Sequence, residues 1–204
     1  IKPKLLVLCN GYTFKGKEYS CADRIDRIIS ELDSVEHVLL VDYIENKKIN
    51  RPKCINWNDI KFDAPFKEVS FVQMRFSDPL YIMFSSGTTG KPKSIVHSIG
   101  GTLLQHIKEL GLHTNLQSED KILYYTTCGW MMWNWVLSSL YFKSTLVLYE
   151  GSPFYPQSDS LLKIIDQNDV DIFGTSAKYI SHLQSEGLSP ISNIKLRKLR
   201  TILS

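Results

Sequence analysis

From residue 80 onward the chain alternates short apolar runs with segments of helical period, and this alternation restricts its fold more than any other feature. LYIMFS (80–85) and SIVH (94–97) read as strands, IGGTLLQHIKELGL (99–112) as a helix and KILYYT (121–126) as a strand. GWMMWNWVLSSLYF (129–142) reads as an apolar helix, buried because it is hydrophobic all round, and STLVLYE (144–150) as a strand. SDSLLKIIDQND (158–169) is a helix with Leu161, Leu162, Ile164 and Ile165 inward, VDIFGT (170–175) a strand, SAKYISHLQSE (176–186) a helix and LRTIL (199–203) a last strand. This spacing predicts an α/β fold of mostly parallel sheets with flanking helices. In such sheets ligands bind beyond the carboxyl ends of the strands.

Upstream, KLLVLCN (4–10) reads as a buried strand and GYTFKGKEY (11–19) as a turn-rich hairpin or loop. Ser20 with Asp23 marks a helix start, followed by Ile25, Ile28, Ile29 and Leu32 at helical spacing and by a second strand, HVLLVD (37–42). These make a βαβ unit. Residues 43–78 lack clear period and predict a long connection with short helices, packed down by Trp57, Phe62, Phe66, Phe71 and Phe76. The organisation expected is one domain with sub-parts 1–79 and 80–204. The chain starts without Met and stops on a strand-like run, and so reads as a piece of something longer.

A net charge of +3 with no dense basic stripe gives no case for nucleic acid or a membrane surface. No apolar run reaches membrane-spanning length. Cys9, Cys21, Cys54 and Cys128 form no CxxC pair, and no histidine falls beside them at metal-ligand spacing, so free thiols and no metal site are expected.

The chemistry concentrates in YIMFSSGTTGKPK (81–93). A Walker A loop needs four residues between its glycines and a Ser or Thr after the lysine. Here Gly87 and Gly90 are separated by Thr88 and Thr89, and Pro92 follows Lys91, which excludes it. The physics of phosphate binding is nevertheless present. Glycines permit turns that side chains block, successive turn N–H groups form anion nests, Ser85, Ser86, Thr88 and Thr89 add hydroxyls, and Lys91 and Lys93 add charge. A polar hairpin turn uses the same residue types; the whole string at the end of an apolar strand favours the phosphate cradle.

YIMFSSGTTGKPK resembles the phosphate-binding signature of the adenylate-forming superfamily, whose members activate a carboxylate with Mg·ATP and pass the acyl group to a thiol. VHSIGGTLLQH (96–106) resembles the corresponding segment of short-chain acyl-CoA synthetases, and YYTTCGWMMWNW (124–135) resembles the acetoacetyl-CoA synthetase family. VLYEGSP (147–153) and LRTILS (199–204) fit the same family. The resemblance covers residues 80–204 best and is looser before them.

It implies part of an adenylation (AMP-binding) N-terminal domain, with a C-terminal domain in cis carrying the adenylation lysine outside this chain. It implies a cytosolic acid–thiol ligase joining acetoacetate to CoA with ATP and Mg²⁺, in which this chain alone is inactive and holds no catalytic residue. An acetyl- or propionyl-CoA synthetase, or a non-catalytic nucleotide-binding relative, are the alternatives. The resemblance assigns Ser85, Ser86, Gly87, Thr88, Thr89, Gly90, Lys91 and Lys93 to ATP phosphates, and Gly129, Trp130 and Trp133 to the acyl pocket. His97, after a strand, falls at the site rim or serves as a structural histidine; His106 and His113 receive no role.

Overall fold

In a computed structural model the described residues are 2–45, 49, 52–61, 68–85, 90–188 and 194–204. They divide into two compact units, Ile1–Val69 and Ser70–Ser204.

The first unit runs β1 (Leu5–Cys9), β2 (Gly11–Phe14), β3 (Lys17–Ser20), α1 (Ala22–Glu31), β4 (His37–Val41) and β5 (Cys54–Asn56). β1, β4 and β5 form a parallel sheet in that order, with α1 as the crossover, so the expected βαβ unit is present. The hairpin is β2–β3. Its two turn residues, Lys15 and Gly16, have φ of 50° and 73°, the left-handed pair that matches strand twist in a two-residue turn. Ser20 does not cap α1 directly, since the cap is Cys21, but its Oγ accepts from Ala22 N at 3.3 Å.

Three expectations change here. β1 is not buried on both faces, because Leu5 and Val7 are exposed while Leu6 and Leu8 are partly covered. Among the described residues of 43–78 there is a third strand, β5, and one 3₁₀ turn, Trp57–Asp59. The aromatics there do not all pack down: Phe71 is 81% exposed, and Phe62 and Phe66 lie outside the described residues. The unit's core is Ile25, Val35, Val38, Leu40 and Ile44.

Beside that core, buried Asn10 ties the end of β1 to the chain leaving β4. Its Oδ1 accepts from Tyr43 N (2.8 Å) and Ile44 N (3.0 Å), and its Nδ2 donates to Ile44 O (2.9 Å).

In the second unit come β6 (Pro79–Ser85), β7 (Lys93–Ser98), α2 (Ile99–Ile107) continued by a π-helical turn (Lys108–His113), and β8 (Lys121–Tyr124). They are followed by α3 (Met131–Leu137) with a 3₁₀ extension (Ser138–Phe142), β9 (Thr145–Leu146), α4 (Ser160–Gln167), β10 (Ile172–Gly174), α5 (Ala177–Ser185) and β11 (Thr201–Leu203). β11, β10, β8 and β9 form a parallel sheet in that order.

Adjacent residues of a strand point to opposite faces, and both faces of this sheet are covered. Ile122 and Ile172 pack with Leu110, Trp135 and Val136 on one side. Leu123 and Phe173 pack with Leu161, Leu162, Ile165 and Tyr179 on the other. That explains why these strands read as continuous apolar runs.

β6 and β7 do not join the parallel sheet. They pair with each other, antiparallel, as a separate two-stranded sheet. Ser85 and Lys93 are therefore the last rung of an antiparallel pair, not part of the carboxyl rim of a parallel sheet. The segment preceding β6 belongs with this unit because it closes the start of α2: Ile99 N donates to Asp78 O (2.9 Å) and Gly100 N to Phe76 O (3.0 Å). The Phe76 ring lies where a Cβ on Gly100 would be, 2.0 Å from the nearest ring atom, so only glycine fits there. α3 is shorter and less buried than expected. Trp135 and Val136 are buried, whereas Trp130 at its N-cap is 70% exposed.

Candidate functional site

Two features of the second unit are joined by one strand. At its start, Ser85 pairs with Lys93 as the last rung of the hairpin. Ser85, Gly90, Lys91 and Lys93 are exposed, and a Cβ at Gly90 would meet nothing within 4 Å. Ser86, Gly87, Thr88 and Thr89 lie outside the described residues. Two ammonium groups, those of Lys91 and Lys93, thus stand exposed beside the Ser85–Lys93 rung. That suits an anion with several oxygens.

At the other end of β7, about 13 Å along the strand at its usual rise per residue, His97 and Ser98 open onto a cavity of about 760 Å³. α2 and its π-helical turn supply one wall with Thr102, Gln105, His106, Glu109 and His113. α3 supplies an apolar wall with Met131, Met132 and Trp135, and Tyr124 and Leu203 close it from the sheet. α2 is aimed by its own cap: Ser98 Oγ accepts from Gly101 N at 3.3 Å.

The polar wall is built from a stripe. Thr102, His106, Glu109 and His113 recur at intervals of four, three and four, which places them on one face. His106 is only 5% exposed, and its Nδ1 lies 2.8 Å from Ser138 Oγ on the α3 extension. Burial, then the neighbouring His97, lower its pKa below the ordinary 6.5, so the ring is neutral at pH 7. Glu109 is held ionised chiefly by its hydrogen bond with Lys108. Burial raises the pKa of Tyr124, whose ring meets Trp135 edge-on with centroids 5.9 Å apart.

Tyr124 is positioned from behind by Gly174, its neighbour across β8 and β10. A Cβ there would come within 1.9 Å of the Tyr124 ring. Gly174→Ala is expected to push that ring into the cavity and to destabilise the chain by about 2 kcal/mol through overpacking. Urea unfolding measures this, and an unchanged midpoint would refute it.

His97 lies within β7 and not after it; its ring is tilted over Tyr81, its cross-strand partner, at 5.1 Å. It lines the cavity, as do His106 and His113, to which sequence reasoning gave no role. Gly129, Trp130 and Trp133 are not among the residues lining it: Gly129 and Trp130 precede the first turn of α3, and Trp133 packs against the apolar cluster around Trp135. The residues of that segment lining the cavity are Met131, Met132 and, one helical turn on, Trp135. The signal that would have found the other wall is the polar stripe on α2.

Among the described residues no group of three His, Cys, Asp or Glu side chains could hold a metal ion, and no helix is long and apolar enough to cross a membrane.

A family profile described as AMP-binding enzyme matches residues 2–204. Acetoacetyl-CoA synthetase of Mus musculus is 42% identical over the whole chain, which spans 31% of that relative's length. The acetoacetyl-coenzyme A synthetase of Rhizobium meliloti (strain 1021) is 40% identical, again over the whole chain and 32% of the relative. A solved acetoacetyl-CoA synthetase from Streptomyces lividans superposes with a TM-score of 0.91 at 34% identity, covering 98% of this chain and 30% of the other. The chain thus spans about a third of the length of the relatives it matches.

Proposed function

Because the chain belongs to the AMP-binding enzyme family, we propose that it supplies the phosphate tip and the acyl cavity of an ATP-dependent acetoacetate–CoA ligase. The observation that carries this reading is the extent of the likeness: relatives named for one acid match every part of the chain, cavity walls included. The geometry supports it. A charged, open tip and a half-apolar, half-polar cavity stand at the two ends of one strand, as a nucleotide and a small polar acid require.

In the proposed reaction a carboxylate oxygen attacks the α-phosphorus of ATP, and the bond to the β-phosphate oxygen breaks. Acyl-adenylate and pyrophosphate form. A CoA thiolate then attacks the acyl carbon and AMP leaves. The residues of this chain act by positioning and by neutralising charge. Lys91 and Lys93 attract the β- and γ-phosphates, the hydroxyls and N–H groups of residues 85–90 orient them, and the α3 wall shelters the acyl carbons. Mg²⁺ would enter with the triphosphate, whose charge it offsets; with no metal-ligating cluster among the described residues, none of its ligands is assigned here.

The test is substrate profiling of a protein of the relatives' full length that contains this chain. Acetoacetate is expected to drive pyrophosphate exchange in preference to acetate, propionate and butyrate, and no preference for acetoacetate would sink the assignment. The 204-residue chain alone is expected to give no exchange, so full turnover from it would be equally damaging.

A further inference from the structure

We propose, on the acyl-site reading above, that His106 is the residue that reads the 3-oxo group of the acid, through Nε2, and that Ser138 sets the tautomer that lets it do so. Acetoacetate differs from butyrate by one carbonyl oxygen, a pure acceptor. A cavity that prefers it must hold out a fixed donor in apolar surroundings.

Several of the polar groups around the cavity are poor candidates for that donor. Ser98 Oγ caps α2. Gln105 Nε2 donates to Glu109 at 3.0 Å, and the Glu109 carboxylate only accepts. Thr102 Oγ1 is buried away from solvent.

His106 differs from these. It is 5% exposed and anchored at Nδ1, yet Nε2 has no hydrogen-bond partner among the described residues and is not one of the polar atoms sealed from solvent. On this proposal Nε2 is set toward the cavity that the residue lines.

Ser138 decides what Nε2 offers. Its Oγ lies 2.8 Å from His106 Nδ1 and 3.2 Å from Asn134 O, and its hydroxyl has one proton to give. Given to Nδ1 over the shorter contact, that proton leaves the imidazole hydrogen on Nε2, a donor aimed at the cavity. Given to Asn134 O, it forces the hydrogen onto Nδ1 and turns a lone pair on Nε2 toward the ligand, which a keto oxygen would meet with repulsion. A 3-oxo acid selects the first arrangement. Because the ring is neutral, this selection costs no buried charge.

The experiment compares kcat/KM for acetoacetate and for butyrate in the full-length protein. In His106→Leu the acetoacetate-to-butyrate ratio is expected to fall about 10- to 100-fold, the range for a lost donor to a buried acceptor. His106→Gln, which can return an amide N–H near Nε2, is expected to recover part of the ratio. Ser138→Ala is expected to lower it by about threefold, because the tautomer is no longer fixed. An equal fall for both acids in His106→Leu and His106→Gln would overturn the proposal by making His106 merely structural. So would a larger loss of the ratio in Tyr124→Phe or His97→Gln. If the Leu variant fails to fold, the Gln variant and the ¹⁵N shifts of the His106 ring decide: acetoacetate, but not butyrate, must move Nε2. Failure of the substrate assignment itself shows earlier and separately, as absence of acetoacetate preference in the unsubstituted protein.

Discussion

Replacing Lys93 and Thr88 together by alanine in the full-length protein is expected to lower kcat/KM for Mg·ATP about a thousandfold, and to leave the choice among acids where it was. Lys93 is paired with Ser85 at the end of the hairpin, so its backbone is fixed where its exposed side chain begins. Removing one preorganised donor or cation from a phosphate-transferring site typically costs 10²–10³ in rate, and two neighbours acting on one triphosphate lose less than the sum of their parts. The cavity is about 13 Å down the strand, too far for the substitution to alter which acid fits. A pyrophosphate-exchange assay run with acetoacetate and butyrate separates the outcomes. Normal ATP use with a changed acid preference would mean that the tip and the cavity have been assigned the wrong way round.

Asn10→Ala is expected to destabilise the first unit by about 4 kcal/mol. The side chain serves two backbone N–H groups and one carbonyl from Tyr43 and Ile44, and Asn10 itself is 1% exposed, so water cannot easily replace it. Each buried backbone group left without a partner costs about 1–3 kcal/mol, and partial rearrangement offsets some of the total. Ile44, which brings its side chain into the core of the unit, is released at the same time. Thermal unfolding of the chain, with hydrogen exchange followed at Tyr43 and Ile44, gives the measurement. A melting temperature within a degree or two of the unsubstituted chain would show that the network carries little.

Much of this architecture was legible because strand and helix periods differ. The apolar runs at 121–126 and 170–175 become β8 and β10, and the helical segments 158–169 and 176–186 contain α4 and α5. Pairing was harder to read. The run at 80–85 and the run at 94–97 look alike to a period-2 test, whether they join a parallel sheet or each other. Their separation held the answer, since residues 86–92 are too few for a parallel crossover of a dozen or more.

Apolar content misled in the opposite sense at 129–142. Such a segment predicts burial, but only seven residues form α3, and its N-cap tryptophan projects outward. At the candidate site, residue chemistry alone singled out the string 81–93. The cavity could not be read that way, because its polar wall depends on helical spacing across α2 and its π-helical turn, and its apolar wall on which side of a short helix turns inward. Trp130 was assigned from the resemblance, whereas the cavity is lined by His106, which taken singly carried no signal.

The strand β7 fixes the interval between tip and cavity through backbone geometry alone, with no side chain setting the spacing. On the proposed function, an ancestral sequence could therefore exchange Thr102, His106 or Met131 and recut the acid end while the lysine end went on receiving the same nucleotide. Descent with a new appetite, and with an unchanged fuel, requires only that the ruler between them keep its length.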